Sequence, residues 1–225
     1  MNHPVISAIK ARHSTRAFLP KSVPHEHIEA ILEAARFAAS GKNTQPWHIA
    51  VVSGETQKKI SDALLAAFRN GEPKRNDYEY YSKDDVDPAF HERAVACGMA
   101  LYSALKIERG DKARRKEVWE WNYQCFGAPV TFFIFMDRGL AQGSWVDMGL
   151  FMQNIMLAAS DFDLATCPQA ALGEYPDLVR NILGIPFDNK LLLCGISLGY
   201  PDNAHPVNQY RTARESVENF AKYYS

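Results

Sequence analysis

The sequence predicts an α+β fold, with helices layered on a sheet of few strands. Three observations carry that expectation. Apolar residues recur at helical spacing through most of the chain. The β-rich runs at 48–52, 130–136 and 191–198 are separated by long segments, not by tight hairpin turns. No glycine loop of the G-x-G-x-x-G or G-x-x-x-x-G-K-[ST] kind follows a strand, as a nucleotide-binding doubly wound or P-loop fold would require.

Taken in order, the chain opens on a helix over 4–11, then the polar segment RHSTR (12–16) and a loop punctuated by Pro20 and Pro24. Ile28, Ile31, Leu32 and Ala35 mark a helix over 26–38, starting just after Pro24. The loop SGKNTQPW (40–47) ends it with a glycine, and the β-branched run 48–52 is the first strand. A helix over 53–68 follows. Residues 69–87 are polar, with tyrosines at 78, 80 and 81, and read as an exposed, lid-like segment. Helical periodicity returns over 89–107. VTFFIFM (130–136) is apolar at every position, so it is a strand covered on both faces. Residues 145–159 are apolar around the helix circumference, which places that helix in a core or a subunit interface. The last strand, 191–198, ends in GYPD (199–202). The tail has little apolar content before Phe220 and reads as an arm. At roughly 150 residues per domain, and with no repeat or linker, residues 1–225 are expected to form one domain with 69–120 as a variable lid and helical insertion.

Composition excludes several functions. Hydrophobic residues make up 47% of the chain, enough for a sizeable core, and the net charge of −1 provides no field to draw nucleic acid or an anionic membrane. Any anion site must be local. No apolar run of about 18 residues is present, so no membrane span is expected, and the N-terminus lacks the apolar stretch of a signal peptide. The four cysteines, Cys97, Cys125, Cys167 and Cys194, form no C-x-x-C pair and are expected as reduced core thiols of a cytoplasmic protein. His25 and His27, two residues apart, do not share a helix face and read as a solvated helix start; no metal site is expected. No G-x-S-x-G elbow marks a hydrolase.

Four constellations remain. In RHSTR, Arg12, Ser14 and Arg16 alternate with His13 and Thr15, and an extended chain puts alternate residues on one face. Two guanidiniums around a hydroxyl suit a phosphate or planar anion; on these residues alone a solvated basic turn is an equal alternative. Arg211 and Arg214 form a second basic pair in the tail. Asn43 and Gln45, on the glycine-containing loop, offer donors and acceptors for a heterocycle or ribose-like chain. TCPQAAL (166–172) is a small, polar segment, read as a loop whose backbone can approach a ring.

These segments occur in a recognisable order. RHSTRAF, AARFAASGKNTQPWHIAVV, FGAPVTFFIF, SWVDMGLFMQNIMLAA, TCPQAAL, GIPFDNKLLLCGISLGYPD and VNQYRTAR together resemble the nitroreductase family, most closely its nitrobenzoate-reductase-like branch, over nearly all of the chain outside 69–120. The resemblance implies a nitroreductase-like layered fold, a central mixed or antiparallel sheet flanked by helices, and a homodimer holding one FMN at each interface, with NADH or NADPH as co-substrate. Residue by residue, it implies that Arg12 and Ser14 face the flavin phosphate with Arg211 and Arg214, and that His13 also belongs to the cofactor site. Arg16 would lie at the N1 and C2 carbonyl edge of the ring, where its charge would favour the reduced, anionic flavin. Ser40, Asn43 and Gln45 would reach in from the partner subunit. Pro168, Gln169 and Ala170 would line one ring face, the Ala170 N–H directed at N5. Arg16 and Ala170 are thus the catalytic candidates, since the cofactor carries the hydride and electron chemistry. The chain departs from the family pattern in carrying Asp163 where a turn glycine is usual; a short polar residue tolerates a left-handed conformation there.

The implied activity is reduction of nitroaromatics, quinones or similar small aromatic acceptors by a ping-pong mechanism. Relatives on the same fold dehalogenate iodotyrosine or cleave reduced flavin, and Glu72, Glu79, Tyr80, Tyr81 and Lys83 supply the residue types of a dehalogenase lid. A flavin-binding protein without turnover is the remaining alternative. Because the apolar helix over 145–159 needs a second covering shell, and the tail ends in Phe220, Tyr223 and Tyr224, an exchange of C-terminal arms between two subunits is expected.

Overall fold

The computed structural model describes residues 3–80, 87–184 and 189–225; Tyr81, Lys83 and the 185–188 part of the GIPFDNK motif fall outside them. Four strands, β1 (His48–Ser53), β2 (Val130–Asp137), β3 (Ala165–Gln169) and β4 (Lys190–Gly199), form one sheet in the order β1-β2-β4-β3. Every pairing among them is antiparallel. The two central strands are those with the longest apolar runs: β2 is buried from Val130 to Met136 and β4 from Leu191 to Gly199. A strand that alternates cannot occupy such a position, because both of its faces must be covered.

The side-chain alternation of β2 divides the core. Phe132, Ile134 and Met136 face Ile28, Ile31 and Ala35 of α2 (His25–Ala35) and Met148, Phe151 and Ile155 of α6 (Gln142–Ala158). Phe133 and Phe135 face the other way, onto Ile60 and Leu64 of α3 (Gly54–Arg69), Tyr123, and Val179 of α7 (Pro176–Leu183). Around this sandwich lie α1 (Pro4–Ala11), α4 (Pro88–Ala104) and α5 (Lys112–Glu120). Helix α4 starts where Asp87 accepts a hydrogen bond from the Ala89 N–H, leaving Pro88, which has no N–H to offer, at the first position.

Several expectations change. The segment TCPQAAL is only half a loop: Ala165–Gln169 is a strand paired with β4, and Ala170–Gly173 is a 3-10 turn. That turn packs tightly on β4, where a Cβ at Gly195 would run into Leu172. Helices α5 and α7 were not anticipated: α5 buries only Val118, whereas α7 is short but carries Leu178, Val179, Ile182 and Leu183 at helical spacing, a pattern that sequence reasoning missed. Helix α6 is not buried all round in the single chain, since Val146 is 67% and Leu150 45% exposed. Cys125, Cys167 and Cys194 are buried thiols, but Cys97 is exposed. His27 is not merely solvated: its ring stacks on Phe162 at 4.5 Å. The turn at Asp163 does survive, with φ of 55°. Among the described residues no helix is long and apolar enough to cross a membrane, and no His/Cys/Asp/Glu cluster could hold a metal.

Candidate functional site

The RHSTR segment is an extended piece laid along the free edge of β3. The Thr15 N–H donates to the Thr166 carbonyl at 3.0 Å, and Ser14 forms a parallel bridge to Thr166. Thr15 is consequently buried, while Arg12, His13, Ser14 and Arg16 turn toward one cavity of about 710 Å³. Strict alternation would have put His13 with Thr15; it lines the cavity instead.

The tail reaches the same cavity because Asn208 ties it down. Its buried amide donates to the Ala17 and Asp202 carbonyls, both at 2.8 Å, and accepts from the Arg16 N–H at 2.8 Å. The chain then delivers Tyr210, Arg211 and Arg214 to the cavity wall. The Tyr210 hydroxyl accepts from the Arg16 guanidinium at 3.0 Å, and the Ser14 carbonyl accepts from it at 3.3 Å, fixing its orientation.

Electrostatically the cavity is unfinished. None of Arg12, Arg16, Arg211 and Arg214 has a carboxylate partner among the described residues. Nη1 of Arg12 and Nε2 of His13 are buried without a hydrogen-bond partner. Burial, and then the charge of Arg214, pushes the Arg12 guanidinium below its ordinary value. Burial also pushes the His13 imidazole down, opposed by its Nδ1 contact with the Ala11 carbonyl and reinforced by Arg211, Arg12 and Arg16. An arrangement of like charges and an orphaned guanidinium donor is unfavourable by itself and favourable around an anion.

A second cavity, of about 620 Å³, lies around the other end of β3. Pro168, Gln169 and Ala170 line it with Trp145, Met148 and Met152 of α6 and Tyr78. Tyr78 meets Trp145 edge-on at 4.7 Å between ring centroids. Helix α6 joins the two cavities, giving Met152 to this one and Gln153 to the basic one. The Gln169 side chain faces inward: its amide nitrogen donates to the Asn122 carbonyl at 2.9 Å, and its oxygen accepts from Ser197 at 2.5 Å. What Gln169 offers the cavity is therefore its backbone, as anticipated for this segment.

Ser40, Asn43 and Gln45 line neither cavity of their own chain. Their loop is built to hold an unfavourable shape. Lys42, Asn43 and Gln45 all have positive φ, between 49° and 58°, the Gln45 N–H donates to the Ser40 hydroxyl, and the Gly41 N–H donates to Asp147 of α6. Backbone of this kind costs on the order of 1 kcal/mol or more per residue and clusters at functional sites.

Sequence reasoning missed Tyr78, Trp145, Met152, Gln153 and Tyr210. Tyr210 sits one residue before the flagged Arg211, and the tyrosine-rich run was noted but without a role. Of the lid residues considered for a dehalogenase, Glu72 lines a separate small cavity, Glu79 and Tyr80 line the apolar one, and Tyr81 and Lys83 lie outside the described residues.

Comparison with known proteins places this geometry. A family model described as the nitroreductase family matches residues 9–200. The chain is 36% identical over 217 residues to a 4-nitrobenzoate reductase of Pseudomonas putida, covering 96% of this chain and 94% of the relative. It is 35% identical to the nitroreductase NfnB of Mycolicibacterium smegmatis, covering 96% and 90% respectively. Among solved structures, the FMN- and NADPH-dependent nitroreductase NfnB from sphigopyxis sp. strain HMH superposes with a TM-score of 0.95 at 34% identity, over 99% of this chain and 100% of that one. NfnB from Mycobacterium smegmatis, solved in complex with NADPH, superposes at 0.92 with 34% identity, over 98% and 97%. Family model, sequence relatives and fold agree over most of the length, and the chain belongs to the nitroreductase family.

Proposed function

We propose that the chain is an FMN-dependent NAD(P)H oxidoreductase that reduces nitroaromatics, quinones and similar small aromatic acceptors by a ping-pong mechanism. Its single domain would work as a homodimer. The observation that carries this reading is the basic cavity: four arginines without carboxylate partners among the described residues, and an orphaned buried donor, Arg12 Nη1, set along the same strand edge as an apolar cavity. A group with a phosphate at one end and a flat aromatic ring at the other fits both halves. Arg12, His13, Ser14, Arg211 and Arg214 would hold the phosphate of FMN. Pro168, the Gln169 backbone and Ala170 would lie along the ring.

When bound, FMN supplies the hydride and electron chemistry. The protein's part is placement and charge. Arg16, oriented by Tyr210 and the Ser14 carbonyl, lines the basic cavity and would present its guanidinium to the flavin. No side-chain nucleophile or general base is required. Tyr78, Trp145, Met148 and Met152 form the apolar wall against which an aromatic acceptor, and in its turn the nicotinamide, would lie. With β3 on one side, both must use one open face in succession, which is the basis for ping-pong kinetics.

Three surfaces favour the dimer. Helices α1 and α4 bury no residue in the single chain, leaving Val5, Ile6, Ile9, Val95 and Met99 exposed. Val146 and Leu150 of α6 are bare as well, and Phe220, Tyr223 and Tyr224 are at least 70% exposed at the end of the tail. Apolar surface of that extent is what a subunit interface covers. A second subunit would also bring Ser40, Asn43 and Gln45 to the flavin, the role their own chain does not give them.

The reading is tested with the purified yellow protein. Either NADPH or NADH should bleach it anaerobically, and a nitroarene should restore the colour without a ternary complex. Colour that neither nicotinamide bleaches would mark a flavin-binding protein without turnover.

A further inference from the structure

We propose that the apolar cavity selects neutral or cationic nitroarenes and discriminates against those carrying a carboxylate. This rests on the reading of that cavity as the acceptor site. It sets the chain apart from the Pseudomonas putida relative, whose name specifies a nitrobenzoate.

The walls supply the reason. Tyr78, Trp145, Met148 and Met152 are apolar at the contact surface, and the amide residues Gln142 and Gln169 are uncharged. Among the described residues no lysine, arginine or histidine lines the cavity, and its acidic lining residue is Glu79. Glu79 has no ion pair among the described residues. The cations in this part of the molecule are engaged one residue earlier. Arg180 and Arg138 both bind the Asp77 carboxylate, which also accepts from the Leu192 N–H at 2.8 Å. That buried knot holds residues 77–80 against β4. Next to it the Tyr78 hydroxyl donates to the Leu193 carbonyl at 2.8 Å, and Glu79 is carried to the solvent-exposed rim.

Two effects then oppose a carboxylated acceptor. Its carboxylate would leave water for a wall whose described residues offer no guanidinium or ammonium to replace the lost hydration. It would also approach a like charge at Glu79. The second effect is the smaller, because at the rim salt screens it over a Debye length of about 10 Å at 0.1 M. The ester or the unsubstituted arene suffers neither.

The test compares 4-nitrobenzoate with methyl 4-nitrobenzoate on the FMN-loaded protein, with NADPH saturating. The kcat/KM for the acid should be roughly tenfold or more below that of the ester, equivalent to about 1.4 kcal/mol. Glu79→Gln should narrow the ratio about two- to threefold, and Glu79→Lys, which adds a cation at the rim, should narrow it further. Raising salt from about 0.05 to about 0.5 M should narrow the ratio in the native protein and not in Glu79→Gln. An acid reduced as well as its ester overturns the inference and leaves the reductase reading standing. A ratio unmoved by Glu79→Lys overturns it too, since the acceptor then binds away from Glu79. Failure to reduce either compound after bleaching by NADPH overturns both.

Discussion

Replacing Arg12 by glutamine separates holding the cofactor from holding the fold. In the free protein Arg12 is a liability: Nη1 is buried without a partner, and the charge of Arg214 bears on it. A buried unsatisfied donor costs about 1–3 kcal/mol, so Arg12→Gln should leave the flavin-free protein as stable as the native one, or more so. Toward FMN the sign reverses. A charge-assisted hydrogen bond contributes about 1.5–3 kcal/mol, and at about 1.4 kcal/mol per decade its loss raises the Kd by roughly one to two orders of magnitude. Riboflavin, which lacks the phosphate, should bind both proteins weakly and about equally. The assay is flavin fluorescence quenching on the reconstituted protein, paired with thermal unfolding of the flavin-free form. An FMN Kd within twofold of native would refute the phosphate assignment. Loss of FMN and riboflavin binding together, with a lowered melting temperature, would show instead that Arg12 supports the fold.

Three further outcomes follow from the same geometry. The His13 imidazole is pushed below its ordinary 6.5 by burial, so the folded chain binds fewer protons there than the unfolded one. Its contribution to the stability of the flavin-free protein should be complete above about pH 6.5 and be lost as pH falls below it; a His13→Gln protein whose melting temperature falls on acidification as steeply as the native one's would refute this. Asp77→Asn should destabilise the fold by about 1–3 kcal/mol, because buried Arg180 loses its buried carboxylate and keeps only the exposed Asp177 and the Lys190 carbonyl; an unchanged stability in urea unfolding would contradict the buried pair. Deleting residues 219–225 should lower dimer stability and FMN occupancy together. A truncated protein that sizes as a monomer yet retains full flavin and turnover would rule out an interface site.

Much of this was legible in the sequence because it depends on local pattern. The apolar runs at 130–136 and 191–198 announced strands, the first of them buried, and the helical spacing of Ile28, Ile31 and Ala35 announced a helix; that the strands are central and the helix faces them is what the structure added. Arg12, Ser14 and Arg16 could be grouped because an extended chain repeats every two residues. The residue types told their chemistry, but not their pairing: Glu215 follows Arg214 directly in sequence, yet among the described residues it pairs with Arg93 and leaves Arg214 without a carboxylate.

What the sequence left open is what depends on partners distant along the chain. TCPQ resembled a loop because a five-residue strand containing proline has little pattern of its own; pairing with β4 makes it a strand. His13 joined the cavity because Thr15 is held by Thr166 across the sheet edge. Tyr210, Arg211 and Arg214 reach that cavity only because buried Asn208 bonds to residues 16 and 17, 192 and 191 positions away. Tyr78 and Trp145 meet because Asp77 is gripped by Arg138 and Arg180, contacts with no signature in a one-dimensional pattern. Residue chemistry and periodicity are local properties that a sequence carries on its face. Which charges converge, and which are left without a counter-ion, is decided by the long-range hydrogen bonds that close the tertiary structure.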